Sequence, residues 1–135
     1  MIVVLDCNVI VSAAIKDGFV RRVLRAALLD HKILITPDIL VEYRRVAGYA
    51  KFDPPKSAAI AELVGLVSAL SIWIEPDRSA TVLPDPADIA YIDAALAGQA
   101  DGIVTGNLRH FPDRRYGRTR VLSVREFATA IGMVE

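Results

Sequence analysis

Three acids, Asp6, Glu42 and Asp88, have both the residue type and the setting for metal-assisted chemistry. Asp6 closes the apolar run Ile2 to Leu5, and neither Asp6 nor Asp88 has a Lys or Arg beside it in sequence. Glu42 borders an apolar stripe, with Ile39 before it and Val46 after it at helical spacing, and Asp88 stands in the same relation to Tyr91 and Ile92. Carboxylates held together without a counter-charge repel, and a hard divalent cation removes the repulsion. Oxygen-only ligation favours Mg²⁺ or Mn²⁺, while His31 and His110 lack ligand spacing with another His or Cys, which sets zinc aside. Such a cation lowers the pKa of a bound water and stabilises charge on a phosphate under displacement. Phosphodiester hydrolysis then needs no nucleophilic side chain.

Each acid also has a plain structural role open to it. Glu42 can pair with Arg45 at i+3, Asp88 can serve the dipole in the first turn of its helix, and capping before Pro86 fully explains Asp85. Asp93 lies well round the same helix and is read as solvated or as a support to the ligands. Ser12 follows Asn8 by one helical turn, but no base is placed to activate it, so it at most supports a ligand. Other chemistries are excluded more firmly. No GxGxxG or GxxxxGK[ST] loop is present. The thiol of Cys7, next to Asp6, would be harder to ionise and reads as a buried small residue. A covalent mechanism on Asp6 would want a second acid where Asn8 stands and a Lys among the later acids, yet no Lys falls between Arg78 and Arg109.

These residues meet only if the fold brings them together. Short apolar runs at Ile2 to Leu5, Ile33 to Ile35, Ser71 to Ile74, Ile103 to Val104 and Val121 to Leu122 read as buried strands. Helical periodicity fills the intervals from Phe19 to Leu28, Ile39 to Val46, Ile60 to Leu70 and Ile89 to Leu96. The alternation predicts right-handed βαβ units and a mainly parallel sheet with helices on both faces. Thr36-Pro37 and Asp85-Pro86 mark sharp helix starts, and Gly48 with Asp53-Pro54-Pro55 predicts a helical hairpin between strands two and three. No repeat or linker divides the chain, so residues 1–135 read as one domain. Ligands of such sheets bind beyond the carboxyl ends of the strands. Strand one ends in Asp6-Cys7-Asn8 and strand four in Thr105-Gly106-Asn107, so two neighbouring ends would offer oxygen ligands to one crevice.

Charge is balanced, with 16 basic and 16 acidic residues, so the total excludes no partner, but its distribution is uneven. Asp85, Asp88, Asp93 and Asp101 fall in a stretch without Lys or Arg. Arg109, Arg114, Arg115, Arg118, Arg120 and Arg125 follow, opposed by Asp113 before Glu126 is reached. An acidic segment beside a basic one suits a metal centre acting on a polyanion, and a solvated surface with locally paired arginines is the alternative. The start of the chain has no basic region ahead of its apolar stretch, and no apolar run is long enough to span a bilayer. With a single cysteine, the reading is a cytoplasmic protein with no membrane partner. The basic segment shows few aromatics, and no stacking platform for bases is evident.

The segments VVLDCNVIVSA, TPDILVEYRRV and DPADIAYIDAALAGQADGIVTGN resemble the PIN domains, and within them the VapC-like toxin components of bacterial toxin–antitoxin pairs. The resemblance runs from Ile2 to about Phe111. It implies a three-layer α/β/α domain with a five-stranded parallel sheet in order 3-2-1-4-5, and a Mg²⁺- or Mn²⁺-dependent ribonuclease. It assigns Asp6, Glu42 and Asp88 as the acids that hold the metal, and Asn8 and Thr105 as the groups that orient the first of them. Asn107 stands where the family has a fourth acid. An amide there can ligate but brings no charge, which favours one metal over two, with Asp85, Asp93 or Asp113 as substitutes for the missing carboxylate. Arg109, Arg114, Arg115 and Arg118 would hold the RNA backbone. A homodimer and an inhibitory antitoxin protein are the implied partners. The competing reading keeps the fold and drops the catalysis, leaving an RNA-binding or assembly module degenerate at Asn107.

Overall fold

The computed structural model describes residues 1–133, so the last two residues of the expected 1–135 domain lie outside the described residues. The sheet grows outward from β1 (Ile2–Leu5), whose last three residues are essentially inaccessible to solvent. Helices α1 (Cys7–Ile15) and α2 (Gly18–Asp30) lead to β2 (Lys32–Ile35). The predicted hairpin follows as α3 (Pro37–Ala47) and α4 (Pro54–Leu70), started by Thr36 and Asp53, whose side chains accept from the N–H groups of Ile39 and Lys56. The short strand β3 (Ile72–Trp73) then leads through a 3-10 turn, Pro86–Asp88, into α5 (Ile89–Ala97) and β4 (Gly102–Thr105). After a second 3-10 turn, Leu108–His110, come β5 (Arg115–Tyr116), β6 (Thr119–Ser123) and α6 (Val124–Ala130).

The sheet order is β3-β2-β1-β4-β6-β5, with every pair parallel except β5 and β6. The five parallel strands therefore stand in the expected order, the fifth place being taken by β6, and the expected count of five is corrected to six. The additional strand is a two-residue return at the edge. Gly117 at φ 59° supplies the left-handed backbone that its tight hairpin turn needs, and Arg114 at φ 62° stands just before it. A second correction concerns β3, which is exposed at both residues rather than buried because it is the sheet's other edge. A third is the start at Asp85-Pro86, which opens as a 3-10 turn before becoming α-helical.

Helices flank the sheet, with α1 packing on α2 and α4, α5 on β1 and β4, and α6 on β6. One continuous apolar core joins them, including the fully buried Tyr43, Tyr91, Phe111 and Phe127. No helix among the described residues is long and apolar enough to cross a membrane. Most important for the site, β1 lies directly beside β4 in register Val3–Gly102, Val4–Ile103 and Leu5–Val104. That pairing brings the two polar strand ends together.

Candidate metal centre at the carboxyl ends of β1 and β4

Asp6 is fixed through its backbone before its side chain does anything. Its N–H donates to the Val104 carbonyl at 2.9 Å. The preceding carbonyl, of Leu5, accepts from the Tyr43 hydroxyl of α3 at 2.6 Å, and the following N–H, of Cys7, donates to the Tyr91 hydroxyl of α5 at 3.2 Å. Both tyrosines are buried, so two helices staple the chain on either side of Asp6. Sequence periodicity marks them only as core aromatics.

The Asp6 carboxylate is fully buried, and its two oxygens are used very differently. Oδ2 accepts from Thr105 Oγ1 at 2.8 Å, from Asn8 Nδ2 at 3.3 Å and from the His110 ring at 2.8 Å. Oδ1 has no partner. Asn8 is itself anchored, because its Oδ1 accepts from the Gly106 N–H at 2.8 Å. Asp88, 6% exposed, presents a second orphan, since its buried Oδ2 has no hydrogen-bond partner and lies 3.9 Å from His110 Nδ1. Burial, followed by the charge of Asp6, pushes the Asp88 carboxyl up to about 6, with His110 opposing and Asp85 and Glu42 adding to the rise. Hydrogen bonding to Asp6 raises the pKa of His110. Asp6, Asp88 and His110 offer ligand atoms that all lie within 4.8 Å of one another. Two buried carboxylates, each with an oxygen that has no hydrogen-bond partner among the described residues, are costly unless a cation joins them, so the donor set fits a divalent metal.

Glu42 lines the same cleft as Asp88 and His110. Its carboxylate is paired with Arg45 at 2.6 Å, so the structure contains both the cleft position and the local ion pair that the sequence left open. Asp85 also borders the cleft while capping its turn through the Ala87 N–H. Asp93 is not brought to the cleft. It accepts from the Ser79 N–H at 2.8 Å and, through its carbonyl, from Asp77, fastening the long connection after β3. Ser12 is on α1 but is not among the cleft-lining residues. The Asn107 side-chain oxygen caps the turn Leu108–His110 by accepting from the Arg109 N–H at 3.1 Å, and Asn107 lines a neighbouring cleft. The Cys7 thiol is harder to ionise, as the sequence suggests, since burial and then the charge of Asp6 push it up to about 12, but the residue is half-buried and lines the cleft rather than being a buried small residue.

The arginines separate. Arg109 lines the neighbouring cleft with Thr105, Gly106 and Asn107. Arg114 pairs with Glu126 at 3.2 Å. Arg118 pairs with Asp101 at 2.8 Å, before the start of β4, and Arg115 is aligned through Arg120 with Gly102, so both lie towards the opposite end of that strand from Thr105. Sequence reasoning missed three features. His110 stands one turn past β4, a position that ligand-spacing rules do not flag. Arg45 and Lys51, from α3 and the turn after it, supply positive charge at the cleft rim. Tyr49 and Phe52 add aromatic surface beside them, with Lys51 Nζ 5.3 Å from the Phe52 ring centre. Their signal was the dense Arg, Tyr, Lys and Phe content from residue 44 to 52.

The model of the family described as "PIN domain" matches residues 2–109. Among solved structures, the fold is similar to a chain of the crystal structure of VapBC2 from Rickettsia felis bound to a DNA fragment from their promoter. That similarity has a TM-score of 0.64 and 18% identity, covering 91% of this chain and 98% of that one. No curated protein sequence matches the chain.

Proposed function

This chain belongs to the PIN-domain family, and we propose that it is a metal-dependent endoribonuclease, the toxin of a toxin–antitoxin pair, acting in the cytoplasm. One observation carries the reading: Asp6 and Asp88 are both buried, each with an oxygen that accepts no hydrogen bond among the described residues. Asp6 and Asp88 would hold the ion, Mg²⁺ or Mn²⁺, and Glu42 would join from across the cleft on leaving Arg45. When bound, the cation lowers the pKa of water and stabilises charge developing on a phosphodiester. Thr105 and Asn8 keep Asp6 oriented by donating to Oδ2, which leaves the buried Oδ1 without a hydrogen-bond partner among the described residues. Arg109, Arg45 and Lys51 would hold RNA phosphates on the two sides of the acids, and Tyr49 would offer a base a face to stack on.

The Rickettsia felis neighbour is a VapBC2 assembly, and an apolar groove between α2 and α4 supports a protein partner here as well. Leu24, Leu28, Leu29, Leu63, Leu66 and Leu70 line about 410 Å³, with Arg21 and Arg25 at its border. An amphipathic helix with an apolar face and an acidic flank suits that chemistry. A homodimer belongs to the same reading.

The test is cleavage of a mixed structured RNA pool in Mg²⁺, in Mn²⁺ and in EDTA, with Asp6→Asn as the matched control. Cuts that need the metal and vanish in the variant support the nuclease. Binding of RNA without cleavage in either metal turns the reading to a catalytically degenerate RNA-binding module.

A further inference from the structure

One 3-10 turn decides which side chain after β4 faces the acids. Asn107 caps that turn, its carbonyl accepting from the His110 N–H at 3.1 Å and its side chain from the Arg109 N–H. The amide oxygen is thereby engaged in the turn, and His110 is carried to Asp6. His110 Nδ1 stands 2.8 Å from Asp6 Oδ2 and 3.9 Å from Asp88 Oδ2. An octahedral ion with bonds of about 2.1 Å sets adjacent ligand atoms about 3 Å apart and opposite ones about 4.2 Å apart. Both His110 distances fall in that range, and the ligand atoms of all three side chains lie within 4.8 Å of one another. The unpartnered Asp6 Oδ1 and Asp88 Oδ2 are an independent sign that something is to be bound there.

We infer that His110 Nδ1 is a ligand of the cation together with Asp6 and Asp88, and that this nitrogen makes the site select Mn²⁺ over Mg²⁺. The inference rests on the metal-centre reading above and adds its ligand chemistry, replacing the oxygen-only set expected from sequence. The form that would ligate through Nδ1 is a neutral imidazole with its proton on Nε2, so any proton on Nδ1 would leave to solvent on binding. Mg²⁺ prefers oxygen and retains its waters, whereas Mn²⁺, though the weakest of the first-row transition ions towards nitrogen, admits an imidazole among oxygen ligands more easily than Mg²⁺ does.

The experiment is pulsed electron paramagnetic resonance of the full chain loaded with Mn²⁺, with natural-abundance and ¹⁵N-histidine protein, alongside calorimetric titration of Mn²⁺ and Mg²⁺. The chain has two histidines, and His31 is bonded to the amino terminus at 2.8 Å, near the start of β2 rather than its carboxyl end. The wild type is expected to show a directly coordinated ¹⁴N coupling that changes to ¹⁵N on labelling. In His110→Ala the coupling should vanish, and Mn²⁺ affinity should fall about tenfold or more, with a smaller fall for Mg²⁺. The labelling arm needs no variant and stands if His110→Ala fails to fold. Mn²⁺ that binds in an Asp6-dependent way without nitrogen coupling overturns the inference and leaves the nuclease reading intact. No binding of either ion overturns both.

Discussion

Replacing Asp88 with Asn should stabilise the protein in the absence of metal while removing its response to metal. Asp88 is buried next to Asp6, and its carboxyl titrates near 6 rather than the ordinary 3.8. The folded chain thus holds a proton that the unfolded chain has already released between pH about 4 and about 6. Stability conferred by that proton is complete below the unfolded value and is lost as pH rises through the folded one. A difference of about two pH units sets an upper limit of about 3 kcal/mol at neutral pH, and relaxation and screening around a site next to the cleft reduce the expected gain to about 1–2 kcal/mol. Asn keeps the shape and removes the charge. It also sacrifices no cap, because the Asp88 side chain makes no capping hydrogen bond to α5. Thermal melts in EDTA should show D88N above wild type by roughly 3–8 °C at pH 7.5, the two converging as pH falls towards 4. Adding Mn²⁺ should raise the wild-type Tm and leave the variant nearly unmoved. A D88N melt at or below wild type at pH 7.5 would refute the claim that the two acids are held against their own repulsion.

Tyr43→Phe removes the hydroxyl that donates to the Leu5 carbonyl and leaves a buried acceptor unsatisfied, so a loss of about 1–3 kcal/mol by denaturant unfolding is expected. Asn107→Asp keeps a good N-cap, so stability should change by less than about 0.5 kcal/mol, whereas Asn107→Ala should cost about 1 kcal/mol. The same melts distinguish them. Arg109→Ala should weaken RNA binding and lower the salt slope by about one, while Arg118→Ala, paired with Asp101 towards the far end of β4, should leave both unchanged in filter-binding titrations. Tyr49→Ala should cost about 1–3 kcal/mol of affinity for single-stranded RNA if a base stacks on it, measured by fluorescence anisotropy.

The parallel sheet was legible because its strands are continuous apolar runs, and Asp6 was legible because a carboxylate closing such a run has few structural reasons to be there. The two edges were less so. A buried strand is recognised by what it excludes, and β3 and β5 are two-residue edges whose pairing is decided by neighbours rather than by their own residues. Glu42 shows a different limit. Its helical position is readable, but whether its carboxylate turns to Arg45 or to the cleft is a competition between two nearby charges, and the structure holds the Arg45 pair.

His110 shows why spacing rules are incomplete. Those rules assume that two ligands share one helix or loop, so that sequence distance becomes spatial distance. Here the proposed ligand atoms come from the end of β1, the turn before α5 and the turn after β4, and the only local signal is Asn107, which caps a turn of three residues. A cap is usually regarded as a contribution to stability. In this fold it also chooses which side chain faces Asp6, so exchanging a carboxylate for an amide at position 107 need not empty the site. The side-chain oxygen at 107 caps the turn that brings an imidazole nitrogen to 2.8 Å from Asp6, and a carboxylate there would cap the same turn.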